Sequence, residues 1–244
     1  MDALLAFDTA TEHLSIAVAA HGRVLTHEAA GGAQASATLI PAILALLSRA
    51  GVALHALDAI AFGRGPGAFT GLRTACSVAQ GLAFGAGKPV LPIDTLLTVA
   101  EDARSGADAL RLWVAMDARM DEIYAAEYRY ADDHWQVLHA PMLIAPQALN
   151  QRWRADPPER VAGNALAAFG ARLAPHGAVL QPDAWPRAAA MLPLAEAAWR
   201  SGAALDAALA LPLYLRDKVA LTTVERDAAR SHKSLAEAVT KATP

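Results

Sequence analysis

A single cysteine, Cys76, stands in a chain of 244 residues, which excludes an intrachain disulfide and suits a reducing compartment. Set in an apolar helical run, it reads as a small buried hydrophobe. No stretch of 18 purely apolar residues exists, so no membrane span is expected. The apolar run between Asp2 and Asp8 is too short and too acidic for a signal peptide, and a cytoplasmic protein is the expectation. Net charge is only −3, which gives no global pull toward nucleic acid. None of the histidines (His13, His21, His27, His55, His134, His139, His176, His232) lies three or four residues from another, so no helix face offers a paired metal site. His134 and His139 are five apart around a strand and point to opposite faces. A G-x-S-x-G motif is lacking, and Cys76 has no neighbouring base in sequence. These absences argue against a metal centre and a covalent nucleophile.

What is present is apolar and rich in alanine: 55% hydrophobic residues against 18% charged. The length fits two domains of ordinary size. Leu4-Leu5-Ala6-Phe7, Leu14-Ser15-Ile16-Ala17-Val18 and Val24-Leu25-Thr26-His27 read as three consecutive antiparallel strands, with His21-Gly22-Arg23 as a hairpin turn. A helix follows over 33–48, apolar at Leu39, Ile43, Leu46 and Leu47 and ending near Gly51. Asp58-Ala59-Ile60-Ala61-Phe62 is a short buried strand, 70–86 a helix, Lys88 to Ile93 a strand and 95–104 a helix. The order β-β-β-α-β-α-β-α predicts an α/β fold with a mixed sheet and helices on its faces.

Between the fourth strand and its helix lies Gly63-Arg64-Gly65-Pro66-Gly67-Ala68-Phe69-Thr70-Gly71-Leu72-Arg73. A glycine-rich strand-to-helix turn, with Thr70 as N-cap, exposes backbone N–H groups that suit an anion. It is not a P-loop, because no lysine follows the last glycine, and it misses G-x-G-x-x-G by one residue. Gly65, Gly67, Thr70 and Arg73 are phosphate candidates here, against the alternative of a tight turn with close backbone approach. Asp8, Thr9 and Thr11 at the first hairpin turn are further candidates for phosphate, or else form an Asx-type turn satisfying its own backbone.

The stretch 103–108 is small and polar and makes the best domain boundary. After it the pattern restarts: Leu112-Trp113-Val114-Ala115-Met116-Asp117 repeats the layout that ends in Asp8, with 122–128 and 135–138 as second and third strands. This single long-period echo suggests a duplicated subdomain. Asp117 and Arg119 either close the opposite side of a cleft or simply pair with each other. Short helices are predicted at 146–153 and 164–173 and a better one at 188–201, with Pro212-Leu213-Tyr214-Leu215-Arg216 as a compact terminal motif. The expected division is 1–105, 106–216 (its last helix packing back on the first subdomain) and a polar, flexible tail over 217–244.

The two early helices lack charge where a sheet-covering helix normally shows it to water: neither 33–48 nor 74–87 holds a charged residue. Either the rest of the chain buries them or they meet another protein, and contiguous apolar patches favour the second reading. Ala35, Thr38, Leu39, Ala42 and Leu46 of the first helix, with Thr74, Ser77, Val78, Gly81 and Phe84 of the second, are the expected contact residues.

Four strings, in order, carry a family resemblance: Phe7-Asp8-Thr9-Ala10-Thr11; Gly65-Pro66-Gly67-Ala68-Phe69-Thr70-Gly71-Leu72-Arg73; Met116-Asp117-Ala118-Arg119-Met120-Asp121-Glu122-Ile123-Tyr124; and Pro212-Leu213-Tyr214-Leu215-Arg216. With them the chain resembles the TsaB (YeaZ) family over residues 4–216. The resemblance implies two actin-like, ribonuclease-H-type subdomains (the ASKHA fold). It also implies a part in making threonylcarbamoyladenosine beside the anticodon of tRNAs that read codons beginning with A. In that family catalysis belongs to a paralogue, TsaD, which the subunit engages as a heterodimer through the two helices of its first subdomain; the small ATPase TsaE joins the pair. The paralogue carries an H-x-x-x-H metal pair, and by the match Thr95 and Val99 stand at those positions here. A second departure is Ala33-Gln34-Ala35-Ser36, where the family commonly starts its helix with His-Ser.

The expectation is thus a non-catalytic scaffold with no cofactor of its own, ATP being used by the wider pathway and a nucleotide allowed at the subunit interface. tRNA is met through the complex, and a homodimer can form when the chain is alone. The alternative is a free-standing ATPase or small-molecule kinase of the same fold using Asp8 and Thr11, but no second phosphate loop follows Tyr128. A metalloprotease lacks its histidine pair. Direct tRNA binding by Arg226, Arg230, Lys233 and Lys241 is opposed by the acids that interleave them.

Overall fold

A computed structural model describes residues 1–216; the expected flexible tail and its four basic residues lie outside the described residues. In the first half β1 (Ala3–Asp8), β2 (His13–Ala20) and β3 (Arg23–Ala30) form an antiparallel ladder. β4 (Ala59–Gly65) and β5 (Val90–Asp94) add in parallel on the other side of β1, giving the order β3-β2-β1-β4-β5. The second half repeats it: β6 (Leu110–Asp117), β7 (Ile123–Ala131) and β8 (His134–Ile144) are antiparallel, and β9 (Arg160–Ala162) and β10 (Val179–Gln181) add in parallel, in the order β8-β7-β6-β9-β10. Two ribonuclease-H-like sheets in one chain are the duplicated actin-like α/β fold.

Alternation along β1 explains how the first sheet is covered on both faces. Leu5 and Phe7 point to one core with Ile16, Val18, Ile60 and Phe62, closed by α1 (Ala35–Ala50) and α2 (Phe69–Ala86). Leu4 and Ala6 point the other way, to Met191, Leu192 and Ala195 of α6 (Ala188–Arg200). The α6 N-terminus is held by a hydrogen bond from Ala188 N–H to Ser15 Oγ at 2.8 Å. In the second sheet Leu112, Val114 and Tyr128 face α3 (Thr95–Arg104), while Trp113, Ala115 and Ala125 face α4 (Pro146–Ala155) and α5 (Ala165–Phe169). The helices α3 and α6 touch each other between the sheets. Burying side chains the size of Phe7, Phe62 and Trp153 stabilises by ~1.5–3 kcal/mol each.

Two local expectations need correction, and two short strands were not foreseen. Thr70 is not the α2 N-cap: the helix begins at Phe69, with Ala68 at the cap and no side-chain cap bond, and Ala68 N–H instead donates to Ala10 O at 2.7 Å. The helix expected over 164–173 is only five residues of α5, because Gly170 turns the chain to φ +51° and a 3-10 turn follows. The strands β9 and β10, three residues each, escape a periodicity reading because so short a run has no measurable period.

Candidate functional site

The glycine turn after β4 lies directly against the turn after β1. Gly71 sits so close to Thr9 that a Cβ would stand 1.9 Å from the Thr9 carbonyl oxygen, and Thr9 Oγ1 donates to Gly71 O at 2.8 Å. Gly67 meets Ala10 in the same way, its Cβ position 2.6 Å from Ala10 O. The glycines therefore serve close backbone approach, the alternative weighed against an anion site.

Asp8 lies at the bottom of this joint. Its Oδ1 accepts from Ala10 N–H at 2.6 Å and its Oδ2 from Thr95 Oγ1–H at 2.9 Å, while Gly65 N–H donates to Thr95 Oγ1 at 3.2 Å. Gly63 leaves the space, since a Cβ there would fall 1.7 Å from Asp8 Oδ2. Burial pushes the Asp8 carboxyl up to about 6, against the lowering by its two hydrogen bonds.

Across the cleft, Asp117 ends β6. Its Oδ1 accepts from Arg119 N–H at 2.8 Å and its Oδ2 pairs with Arg119 Nη1 at 3.1 Å. Between the two turns is a cavity of about 360 Å³. Thr11, Gly67, Asp117 and Arg119 line it, together with Phe69, Tyr124 and the segment from Leu213 to Arg216.

The other five phosphate candidates are not part of it. Asp8 and Thr9 are buried and their side chains are bonded to Thr95, Ala10 and Gly71. Gly65, at φ +113°, is packed under Leu72 and the Leu213 carbonyl. Thr70 is exposed outside the cavity. Arg73 lays its guanidinium 3.9 Å over the Phe69 ring and donates to Tyr214 Oη at 3.1 Å. A single anion-binding cradle running from Asp8 to Arg73 is therefore not what these residues build. Thr95 is a buried residue of the cavity wall that covers Asp8, and Val99 is fully buried against the second sheet.

The expected contact residues divide similarly. Ala35, Leu39 and Leu46 are fully or almost fully buried in the chain's own core, so they are structural rather than contact residues; the α1 stripe they form is the one that covers the first sheet. Ala42, Thr74 and Val78 are half-buried, Ala42 and Val78 packing against that core. Thr38, Ser77, Gly81 and Phe84 face outward, Phe84 at 87% exposure. Beside them the structure adds Ile40 and Leu44 on α1, 41% and 49% exposed, which sequence reasoning missed. The signal was there, in the second apolar stripe of α1 offset by one residue from Leu39 and Ile43. Among the described residues no helix is long and apolar enough to cross a membrane.

Residues 23–224 match the family model described as TsaD, tRNA N6-adenosine threonylcarbamoyltransferase. The tRNA threonylcarbamoyladenosine biosynthesis protein TsaB of Escherichia coli is 34% identical over 89% of this chain and 96% of its own. Its counterpart in Haemophilus influenzae is also 34% identical, over 88% and 94% respectively. The solved structure of YeaZ from Pseudomonas aeruginosa superposes with a TM-score of 0.80 at 39% identity, covering 88% of this chain and all of that one. With near-full-length likeness in sequence and in fold, the chain belongs to the TsaB (YeaZ) family, whose members are named for the biosynthesis of threonylcarbamoyladenosine in tRNA.

Proposed function

We propose that this chain acts in tRNA threonylcarbamoyladenosine synthesis as a non-catalytic scaffold, docking a TsaD-type transferase on the outward faces of α1 and α2. A TsaE-type ATPase joins the pair, and tRNA is engaged by the assembly. The observation that carries the reading is the exposed, uncharged face made by Ile40, Leu44, Ser77, Gly81 and Phe84. Gly81 sharpens it. It lies inside α2, where glycine costs about 1 kcal/mol relative to alanine, yet among the described residues nothing beyond its own helical turn lies within 4 Å of its Cβ position. Among the described residues no contact calls for that glycine; a closely approaching second backbone would. Two like pairs of helices would bury about 1,600 Å² in total, the size of a stable specific interface. The buried Thr95 and Val99, standing where the paralogue carries its metal-binding histidines, support the assignment of catalysis to the partner.

The test is Gly81→Arg. Open space at the Cβ lets the monomer keep its fold and melting temperature, whereas Val78→Glu would also disturb the core that Val78 packs against. The variant should fail to co-elute with the transferase chain and should fail to support tRNA modification in a reconstituted mixture with transferase, ATPase, ATP and the threonylcarbamoyl donor. Undiminished co-elution would show that the face is wrongly placed.

A further inference from the structure

After α6 the chain returns to the first half as a strap, residues 205–216. Leu205 exchanges backbone hydrogen bonds with Val90, just past the C-terminal end of α2. The Ala210 carbonyl then accepts from Gln80 Nε2 at 3.1 Å and Cys76 Sγ at 3.4 Å in the middle of α2. Leu213 N–H donates to Arg64 O at 2.7 Å, and Tyr214 meets Arg73 and Phe69 near the α2 N-terminus. Arg216 finishes on the second half, bonded to the carbonyls of Ala118 and Arg119 and paired with Glu122 at 2.9 Å. The strap therefore runs antiparallel along α2 and is tied at both ends.

Between these anchors the side chains are turned the wrong way for an isolated protein. Ala207 and Ala210 are buried, while Leu209 and Leu211 stand 63% and 71% exposed. A chain stabilised only by its own core would bury the leucines and expose the alanines. Their place explains the inversion. Cys76, Gln80 and Phe84 are spaced four residues apart on one stripe of α2, so the strap beside Gln80 continues the surface on which Phe84 projects.

We infer that the strap is a third element of the docking face, with Leu209 and Leu211 contacting the same partner that α1 and α2 receive. This rests on the proposed pairing with a transferase of the same family. Residues 207–213 hold no charged side chain, which fits an apolar protein surface and not a polyanion. The family model of the transferase matches 23–224, a span containing α1, α2 and the strap, so a partner of that family is built from the same elements and presents a like face. Tied at both ends, the strap holds its leucines in place before association, which reduces the ordering cost of binding.

The experiment measures the dissociation constant of the full chain for the transferase-family chain of the same organism by titration calorimetry. The variants are Leu209→Asp/Leu211→Asp, Leu209→Ala/Leu211→Ala and Gly81→Arg, with Val137→Asp, an exposed position on β8, as control. Both strap variants should melt like the wild type, since the leucines touch mainly water. The aspartate pair should weaken binding about 30-fold or more and the alanine pair about tenfold, the range of an interface hot spot, while Val137→Asp leaves it unchanged. A change below about fivefold in both strap variants, with pairing abolished by Gly81→Arg, would overturn the strap proposal and leave the helix interface standing. If Gly81→Arg also binds like the wild type, the proposed pairing fails and the strap proposal with it.

Discussion

Asp8 and Asp117 close the first strand of the two halves in the same local manner, each Oδ1 accepting the N–H two residues further on. Their surroundings have diverged. Asp8 is sealed beneath Thr95 and the glycine turn, whereas Asp117 lines the cavity and pairs with an exposed arginine. The helices outside the two sheets diverge in the same sense. In the first half α1 and α2 are long and show uncharged faces; in the second, α4 carries Arg152 and Arg154 and α5 is five residues long. The comparison teaches that a duplicated scaffold can keep its ladders and core while only one half turns long, uncharged helix faces outward.

The largest effect expected from that comparison concerns close approach, which both halves share. Gly71→Ala drives a Cβ into the Thr9 carbonyl, and Gly163→Ala does the same 2.4 Å from the Ala115 carbonyl at a φ of +112°. Each should cost about 4 kcal/mol or more, lowering Tm by roughly 10 °C in a thermal scan. Equal losses would mark the two joints as equivalent; a mild effect at one would show that its half yields more easily.

Next comes the aspartate pair. Asp8 is raised to about 6 from an ordinary 3.8, so its contribution to stability is fully present below about pH 4 and is lost as pH rises through 6. Asp8→Asn should remove that part of the pH dependence. Relative to the variant, wild type should lose up to roughly 3 kcal/mol between pH 4 and 7 in denaturant titrations. Asp117→Asn breaks only its ion pair with an exposed arginine and should cost under about 1 kcal/mol.

The smallest effect separates stability from docking. Gly81→Ala meets open space, so it should stabilise the isolated chain by about 0.5–1 kcal/mol while weakening pairing with the transferase. Stabilisation without loss of affinity would remove the reason given for a glycine at that position.

Much of this was legible in the residues. The Asp-ended strand at 112–117 announced the duplication, the charge-free stretches 33–48 and 74–87 marked the helices that face outward, and the glycine string located the joint. Other features were hidden because they depend on contacts distant in the chain. Thr9 bonds to Gly71 and Asp8 to Thr95, so residues that read as phosphate ligands in a local turn are consumed by the fold. Leu39 and Leu44 are equally apolar in sequence, and only the position of the sheet decides that one is core and the other surface.

By itself, then, the sequence determined the order of strands and helices in the first half, the doubling of the fold and the family, because hydrophobic period, turn chemistry and charge are properties of neighbours along the chain. Tertiary structure alone decided which candidates reach the cavity, which stripe of α1 is left bare and how the strap turns Leu209 and Leu211 outward, because exposure depends on what lies across space from a side chain.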